Sequence, residues 1–243
     1  MKNPRKVLAN PNAIGFGIGD FYVELTTHLF GGTVLPKATA HLADIDHPRW
    51  DTLLEVKGGG DSNGIKAFGP QVEDYLEELG RKREHCLYAL YRYTSDKRRP
   101  GGPIAKDTKI VRTLYRELAE RTRELHVVDV RLLNALGVRN GTRRDRRDSH
   151  AVKTLILRQY MLQELAENIQ LFTHIVGFRH GHYKVIRTDL STVFNGFPMS
   201  FPVTFVVPRE LRPRIETRLR KLAARTAART ARLAREPELS FDQ

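Results

Sequence analysis

Residues 42–57, LADIDHPRWDTLLEVK, gather the side-chain types that hold a divalent cation and handle a water proton. Asp44 ends one strand-like run, and Glu55, Val56 and Lys57 lie on the next. Residues two apart on a strand share a face, so Glu55 and Lys57 project together. A hairpin return brings Asp44 alongside them. Two carboxylates beside one lysine make a hard, oxygen-rich site suited to Mg2+ (or Mn2+), whose shell is completed by water and phosphate oxygen. Such an ion polarises a phosphate and acidifies a water, while the lysine orients the nucleophile or, as the neutral amine, deprotonates it. Asp46 and Asp51 compete for the first acidic position. Asp46 shares a strand face with Asp44, whereas Asp51 begins the same strand as Glu55, so the order of preference is Asp44, Asp46, Asp51.

The elements that must position these groups alternate along the first half of the chain. Ile18, Phe21, Tyr22, Leu25 and Leu29 recur at helical spacing and predict a helix over 19–30, ended by Gly31 and Gly32. Strand-like runs follow at 33–35, 39–45 and 52–57, the last two separated by a turn at His47 and Pro48. Gly58, Gly59 and Gly60 are expected to stop regular structure. They either let a phosphate approach the backbone or form a flexible turn. A helix beginning at Gly69 and Pro70 carries Val72, Tyr75, Leu76 and Leu79; residues 85–93 read as a buried strand; a helix after Asp107 and a strand over 126–130 complete the order. This succession predicts an α/β layer with crossover connections.

At this point the residues resemble a known family. An Asp before a strand bearing Glu-x-Lys is similar to the PD-(D/E)xK, or restriction-endonuclease-like, nuclease superfamily, and the match spans roughly residues 15–133, including the element order. Gln71 and Tyr75, four apart on one helix face, resemble the QxxxY feature of the RecB-like branch. The resemblance implies an αβββαβ core and metal-dependent phosphodiester hydrolysis. It assigns metal binding to Asp44 and Glu55 with help from Glu24 on the preceding helix, water positioning to Lys57, and substrate contacts to Gln71 and Tyr75. The chain departs from the family pattern in having Ala43, not proline, before Asp44. His28, one turn from Glu24, reads as a structural or surface histidine.

The charge distribution points to a polyanion. The net charge is +13, of which only +3 falls in residues 1–133 and +10 in residues 134–243. An excess concentrated in one half suggests nucleic acid met by that half, DNA rather than RNA. Arg139, Arg143, Arg144, Arg146 and Arg147 form a cluster expected to contact a phosphate backbone, and Arg214, Arg218, Arg225, Arg229 and Arg232 form a stripe on a terminal helix over 210–235. The expected organisation is a nuclease-like core over 1–136, a basic linker over 137–148, and a basic α+β domain or extension over 149–243. That last part comprises a long helix starting at Ser149 and two extended runs, 182–194 and 201–207, joined at Asn195 and Gly196.

Other chemistries are excluded or weakened. One cysteine, Cys86, rules out an internal disulfide and a multi-thiolate zinc site, and its apolar strand makes a nucleophilic role poor. There is no phosphate-loop motif, and Gly15, Gly17 and Gly19 lack the strand and spacing of a dinucleotide site. His180 and His182 lack partners at zinc spacing and read as a loop pair near phosphate. Without a long apolar run or an apolar leader the expectation is a soluble cytoplasmic protein with no membrane partner. The expected activity is that of a Mg2+-dependent nuclease, a DNA endonuclease, and cutting both strands often requires a homodimer. The other reading is a non-catalytic nucleic-acid-binding or assembly protein that keeps the nuclease fold.

Overall fold

Phe21, Tyr22, Leu25 and Leu29 fall on one side of a helix, and all four are fully buried. The helix, α1 (Asn12–Phe30), starts earlier than its apolar spacing predicts. It ends where Gly31 and Gly32 adopt φ of 88° and 101°, with the Gly31 N–H donating to Thr27 O at 2.8 Å. The computed structural model describes residues 12–36, 43–61, 64–68, 83–94, 108–139, 154–179 and 181–233.

After α1 come β1 (Thr33–Val34), β2 (Ile45–His47), a 3-10 turn (Pro48–Trp50), β3 (Thr52–Gly60), β4 (Ile65–Phe68) and β5 (His85–Tyr93). Then follow α2 (Thr108–Arg121), β6 (Thr122–Asp129), α3 (Val130–Arg139), β7 (Thr154–Leu157), α4 (Gln159–Glu167) and α5 (Ile169–Ile175). The chain closes with β8 (Tyr183–Phe194), β9 (Phe197–Pro208), a second 3-10 turn (Arg209–Leu211) and α6 (Arg212–Leu233). The fold is mixed α/β. Seven strands form one mostly antiparallel sheet in the order β1-β2-β3-β5-β6-β9-β8, in which β3/β5 and β6/β9 are the parallel pairs. Strands β4 and β7 pair separately and antiparallel.

Alternation along β3 and β5 divides the hydrocarbon between the two faces of the sheet. Leu54, Val56, Leu87 and Ala89 join α1, α2 and α6 in one core. Leu53, Cys86, Tyr88 and Leu90 join α3, α4, α5 and the β4/β7 pair in the other. On the first face Tyr22 stacks on Tyr91, with ring centroids 4.4 Å apart, and its hydroxyl lies 3.2 Å from Thr122 Oγ1. This fixes α1 across the middle of the sheet.

Three expectations change. Strand β3 does not stop at Lys57 but runs on through Gly58, Gly59 and Gly60. These glycines are packing positions: a Cβ on Gly58 would lie 2.6 Å from the Tyr22 ring, and one on Gly59 would lie 2.5 Å from Gly64 O. The helix expected to run from Ser149 to beyond Leu165 is instead β7 followed by the shorter α4 and α5, because Thr154, Leu155, Ile156 and Leu157 pair with β4. The C-terminal strands add to the existing sheet, β9 lying parallel to β6 with Leu125 opposite Val203, so residues 183–208 extend the first half's sheet. The basic segment's first residues continue α3 to Arg139, and residues 140–153 lie outside the described residues. The terminal helix runs to Leu233, and among the described residues no helix is long and apolar enough to cross a membrane.

Because backbone faces Gly59, the Gly59→Ala variant must shift β3 against β4. The expected loss of stability is about 1–3 kcal/mol. It would be read as a lower denaturant midpoint with the slope unchanged, and an unchanged midpoint would contradict this packing.

Candidate active site

Register decides which acids meet. In the β2/β3 hairpin Ile45 lies opposite Leu54 and Asp46 opposite Leu53. The paired register ends at Ile45, and Asp44 is a bend just before β2: its N–H donates to Leu54 O at 3.1 Å, and Leu35 N–H donates to Asp44 O at 2.9 Å. That bend leaves Asp44 beside Glu55, and their carboxyl groups share a hydrogen bond. Asp44 Oδ2 also accepts from the Val56 N–H at 2.8 Å, which fixes the carboxyl over the strand. Lys57, two residues beyond Glu55, forms an ion pair with Glu55 Oε1. The Glu55 side chain is 3% exposed and that of Lys57 is 23% exposed, so the acids sit beneath and the ammonium reaches the surface.

Of the residues proposed from sequence, Asp44, Glu55 and Lys57 come together. Asp46 is engaged elsewhere: Arg83 grips both its oxygens, Nε at 2.8 Å and Nη2 at 3.0 Å. Asp51 sits in the hairpin turn in the left-handed region, φ 51°, with Arg83 Nη1 3.8 Å away. Of the three acids, Asp44 is the one beside Glu55. Glu24 does not join the site. It lies on α1, which packs against Leu54 and Val56 on the opposite face of the sheet, and Glu24 Oε1 accepts from the Tyr115 hydroxyl at 2.8 Å. His28 is on the same helix, its Nε2 3.0 Å from Thr192 Oγ1 and its ring beside Phe194, a structural placement. Gln71, Tyr75, Arg143, Arg144, Arg146, Arg147 and His180 lie outside the described residues. Cys86 is buried in the second core, and burial pushes its thiol well up, consistent with an inert residue.

Strand spacing alone does not reveal a second polar group on the same face. Lys57 is registered with Leu90, and Leu90 with His126. Glu124, two residues before His126, forms an ion pair with Arg92 Nε at 2.8 Å and lies 3.3 Å from His126 Nε2. The local signal is Glu124-x-His126 at strand spacing, and Arg92 enters through pairing that sequence spacing does not encode.

On the α1 side, Arg49, Arg214, Arg218 and Lys221 converge on a groove of about 720 Å³ that also includes Gly32, Thr33, His47 and Trp50. Among the described residues no carboxylate lines it. Arg218 donates to Leu29 O at 2.7 Å and to His28 O at 3.0 Å, binding α6 to the C-terminal end of α1. Burial and the charges of Arg225 and Arg49 hold the Arg218 pKa below its ordinary value. The predicted arginine stripe is therefore partly spent on helix packing, and of its exposed members Arg214 lines the groove.

The chain matches no family model, no curated protein and no solved structure.

Burial holds the Asp44 carboxyl at about 6, up from an ordinary 3.8, and the charge of Glu55 adds to the rise; the Val56 N–H and the Lys57 ammonium oppose it. A carboxyl with a raised folded pKa contributes stability below its unfolded pKa, and loses it as pH climbs through the folded value. Metal-free protein should therefore lose stability between about pH 4 and pH 6 through this group. Asp44→Asn should remove that part of the decline in a pH series of thermal melts. Persistence of the full decline in the variant would show that Asp44 is not its source.

Proposed function

We propose that the protein is a divalent-metal-dependent nuclease that hydrolyses phosphodiester bonds, acting on DNA as an endonuclease. The observation that carries this reading is the buried encounter of Asp44 with Glu55 beside Lys57. Two carboxylates in a poorly solvated place need a counter-charge beyond one ammonium, and the proton they share stands where a cation could bind. The donor set, carboxylate oxygens alone, fits Mg2+ or Mn2+. Asp44 and Glu55 would hold the ion, which when bound supplies charge to the scissile phosphate and lowers the pKa of water. Lys57, partly exposed and paired with Glu55, would orient the attacking water.

The element order supports the family resemblance. Helix α1, the antiparallel β1-β2-β3 run and the parallel return to β5 follow the first part of an αβββαβ core. The crossover helix expected between β3 and β5 lies outside the described residues. Glu24, on the far side of the sheet, has no role in this proposal.

A second reading is favoured by the cationic groove. Arg49, Arg214, Arg218 and Lys221 offer a phosphate backbone contacts away from the acids, as a non-catalytic nucleic-acid-binding protein would. The two readings separate on Lys57→Ala. The nuclease reading expects metal-dependent cleavage of plasmid DNA to fall by about 100-fold to 10,000-fold while DNA affinity changes little. A wild-type cleavage rate in that variant would remove Lys57 from the mechanism, and wild-type protein inactive with both Mg2+ and Mn2+ would leave the binder.

The groove generates its own expectation. For every duplex phosphate that a side chain ceases to neutralise, the salt dependence of log K should flatten by about 0.9. Arg214→Glu with Lys221→Glu should therefore weaken binding and reduce that slope by up to about twice this amount. An unchanged slope would exclude the groove as a backbone contact.

A further inference from the structure

His85 opens β5 with only 2% of its surface exposed, and neither of its ring nitrogens makes a hydrogen bond. Buried polar atoms are seldom left this way. Nε2 faces two carboxylates, Glu84 Oε2 at 3.6 Å and Glu210 Oε1 at 3.7 Å. The three ligand-capable atoms lie within 4.8 Å of one another. These separations exceed a hydrogen bond, but they approach the edge of a tetrahedron built on metal–ligand bonds of about 2.1 Å, which is about 3.4 Å.

We propose that Glu84, His85 and Glu210 bind a transition-metal dication, zinc by preference, with water at the fourth position. An imidazole nitrogen with two carboxylate oxygens suits Zn2+ and its first-row neighbours, whereas Mg2+ and Ca2+ prefer oxygen alone. Two carboxylates and a neutral imidazole carry the charge that a dication cancels. The nearby Arg131 feels the charge of Glu210 but makes its hydrogen bonds to Asp129, by Nε at 3.0 Å and Nη2 at 2.9 Å. Both glutamates are exposed, at 64% and 58%, so their side chains can close the remaining distance while His85 stays fixed below. The site is separate from the acid pair: His85 is registered with Thr52, and Glu55 with Tyr88.

The ligands come from distant parts of the chain. Glu84 and His85 stand at the start of β5, and Glu210 lies in the turn between β9 and α6. An ion there would clamp the C-terminal helix to the central strand and restrict a long loop of the unfolded chain. Its effect belongs to stability and to the placement of α6, whose arginines line the cationic groove.

The test is titration of the chelator-stripped full chain with Co2+, whose visible absorption reports a low-coordinate site, followed by Zn2+ competition and melting curves. In excess Mg2+, which fills an oxygen-only site, one Co2+ should still bind and be displaced by Zn2+, and Zn2+ should raise the melting temperature. His85→Gln and Glu210→Gln should each weaken Co2+ binding by more than about tenfold, and Asp189→Asn, a change at an exposed acid on β8, should leave it unchanged. Glu84 and Glu210 are exposed, so glutamine there tests the site even where the His85 variant fails to fold. Absence of cobalt bands and of a zinc-dependent melting shift at micromolar metal would overturn the proposal. Undiminished binding in Glu84→Gln and Glu210→Gln would do the same.

Discussion

Two carboxylates facing each other across an antiparallel strand pair make a confrontation that the fold must neutralise. In water the repulsion between Asp44 and Glu55 would be screened. Against the inner face of a sheet it is not, and one of the two acids is held toward its protonated form. Lys57 offsets one charge. The proton shared by the carboxyl groups offsets the other. On the nuclease reading a metal ion would compete for that place, which would couple metal affinity to pH, whereas a hydrophobic pair of similar size would pack there without the penalty.

The surrounding structure keeps that confrontation in place. The 3-10 turn of Pro48 to Trp50 sets the register of β2 on β3: His47 Nδ1 accepts from Trp50 N–H at 3.2 Å, and its ring stacks on the indole. A slip of one residue would turn Glu55 and Lys57 into the core with α1 and bring Leu54 beneath Asp44. Helix α1 guards against such a slip from the other face, where the Tyr22 ring occupies the space left by Gly58. Arg83 removes Asp46 from competition by pairing with both its oxygens. Thus the apolar and cationic neighbours determine which acids meet.

Local pattern was enough wherever the determining contacts are near in sequence. Strand β5 is legible as an unbroken apolar and aromatic run, and the shared face of Glu55 and Lys57 follows from strand periodicity, with Asp44 returned beside them by a short hairpin. The pattern fails where a distant partner supplies the reason. Three glycines in a row read as a breaker, but they are tolerated in β3 because an aromatic ring on one face and a backbone on the other fill the space a side chain would take. Residues 154–157 carry helical as well as strand spacing, and only β4 selects the strand. Glu24 looks well placed on the preceding helix, yet helix phase turns it toward Tyr115, across the sheet from the acids. The cluster at Glu84, His85 and Glu210 leaves no spacing signal, since its members meet only after β9 has joined β6.

The separation of charge between the two sides of the sheet bears on how a polyanion would be received. The acid pair lies on the second core's face, and the groove of Arg49, Arg214, Arg218 and Lys221 opens beside α1 and α6. Both meet the same edge of the sheet: β1 and the end of β2 contribute Thr33 and His47 to the groove, while Asp44 precedes β2 and binds Leu35 backbone. A phosphate backbone held by the groove would repel bare carboxylates at that edge. A divalent ion between Asp44 and Glu55 reverses the local sign and makes the edge continuous for an anion. On the nuclease reading, then, the metal has a second consequence besides activating water, because its charge lets the substrate approach the acids at all.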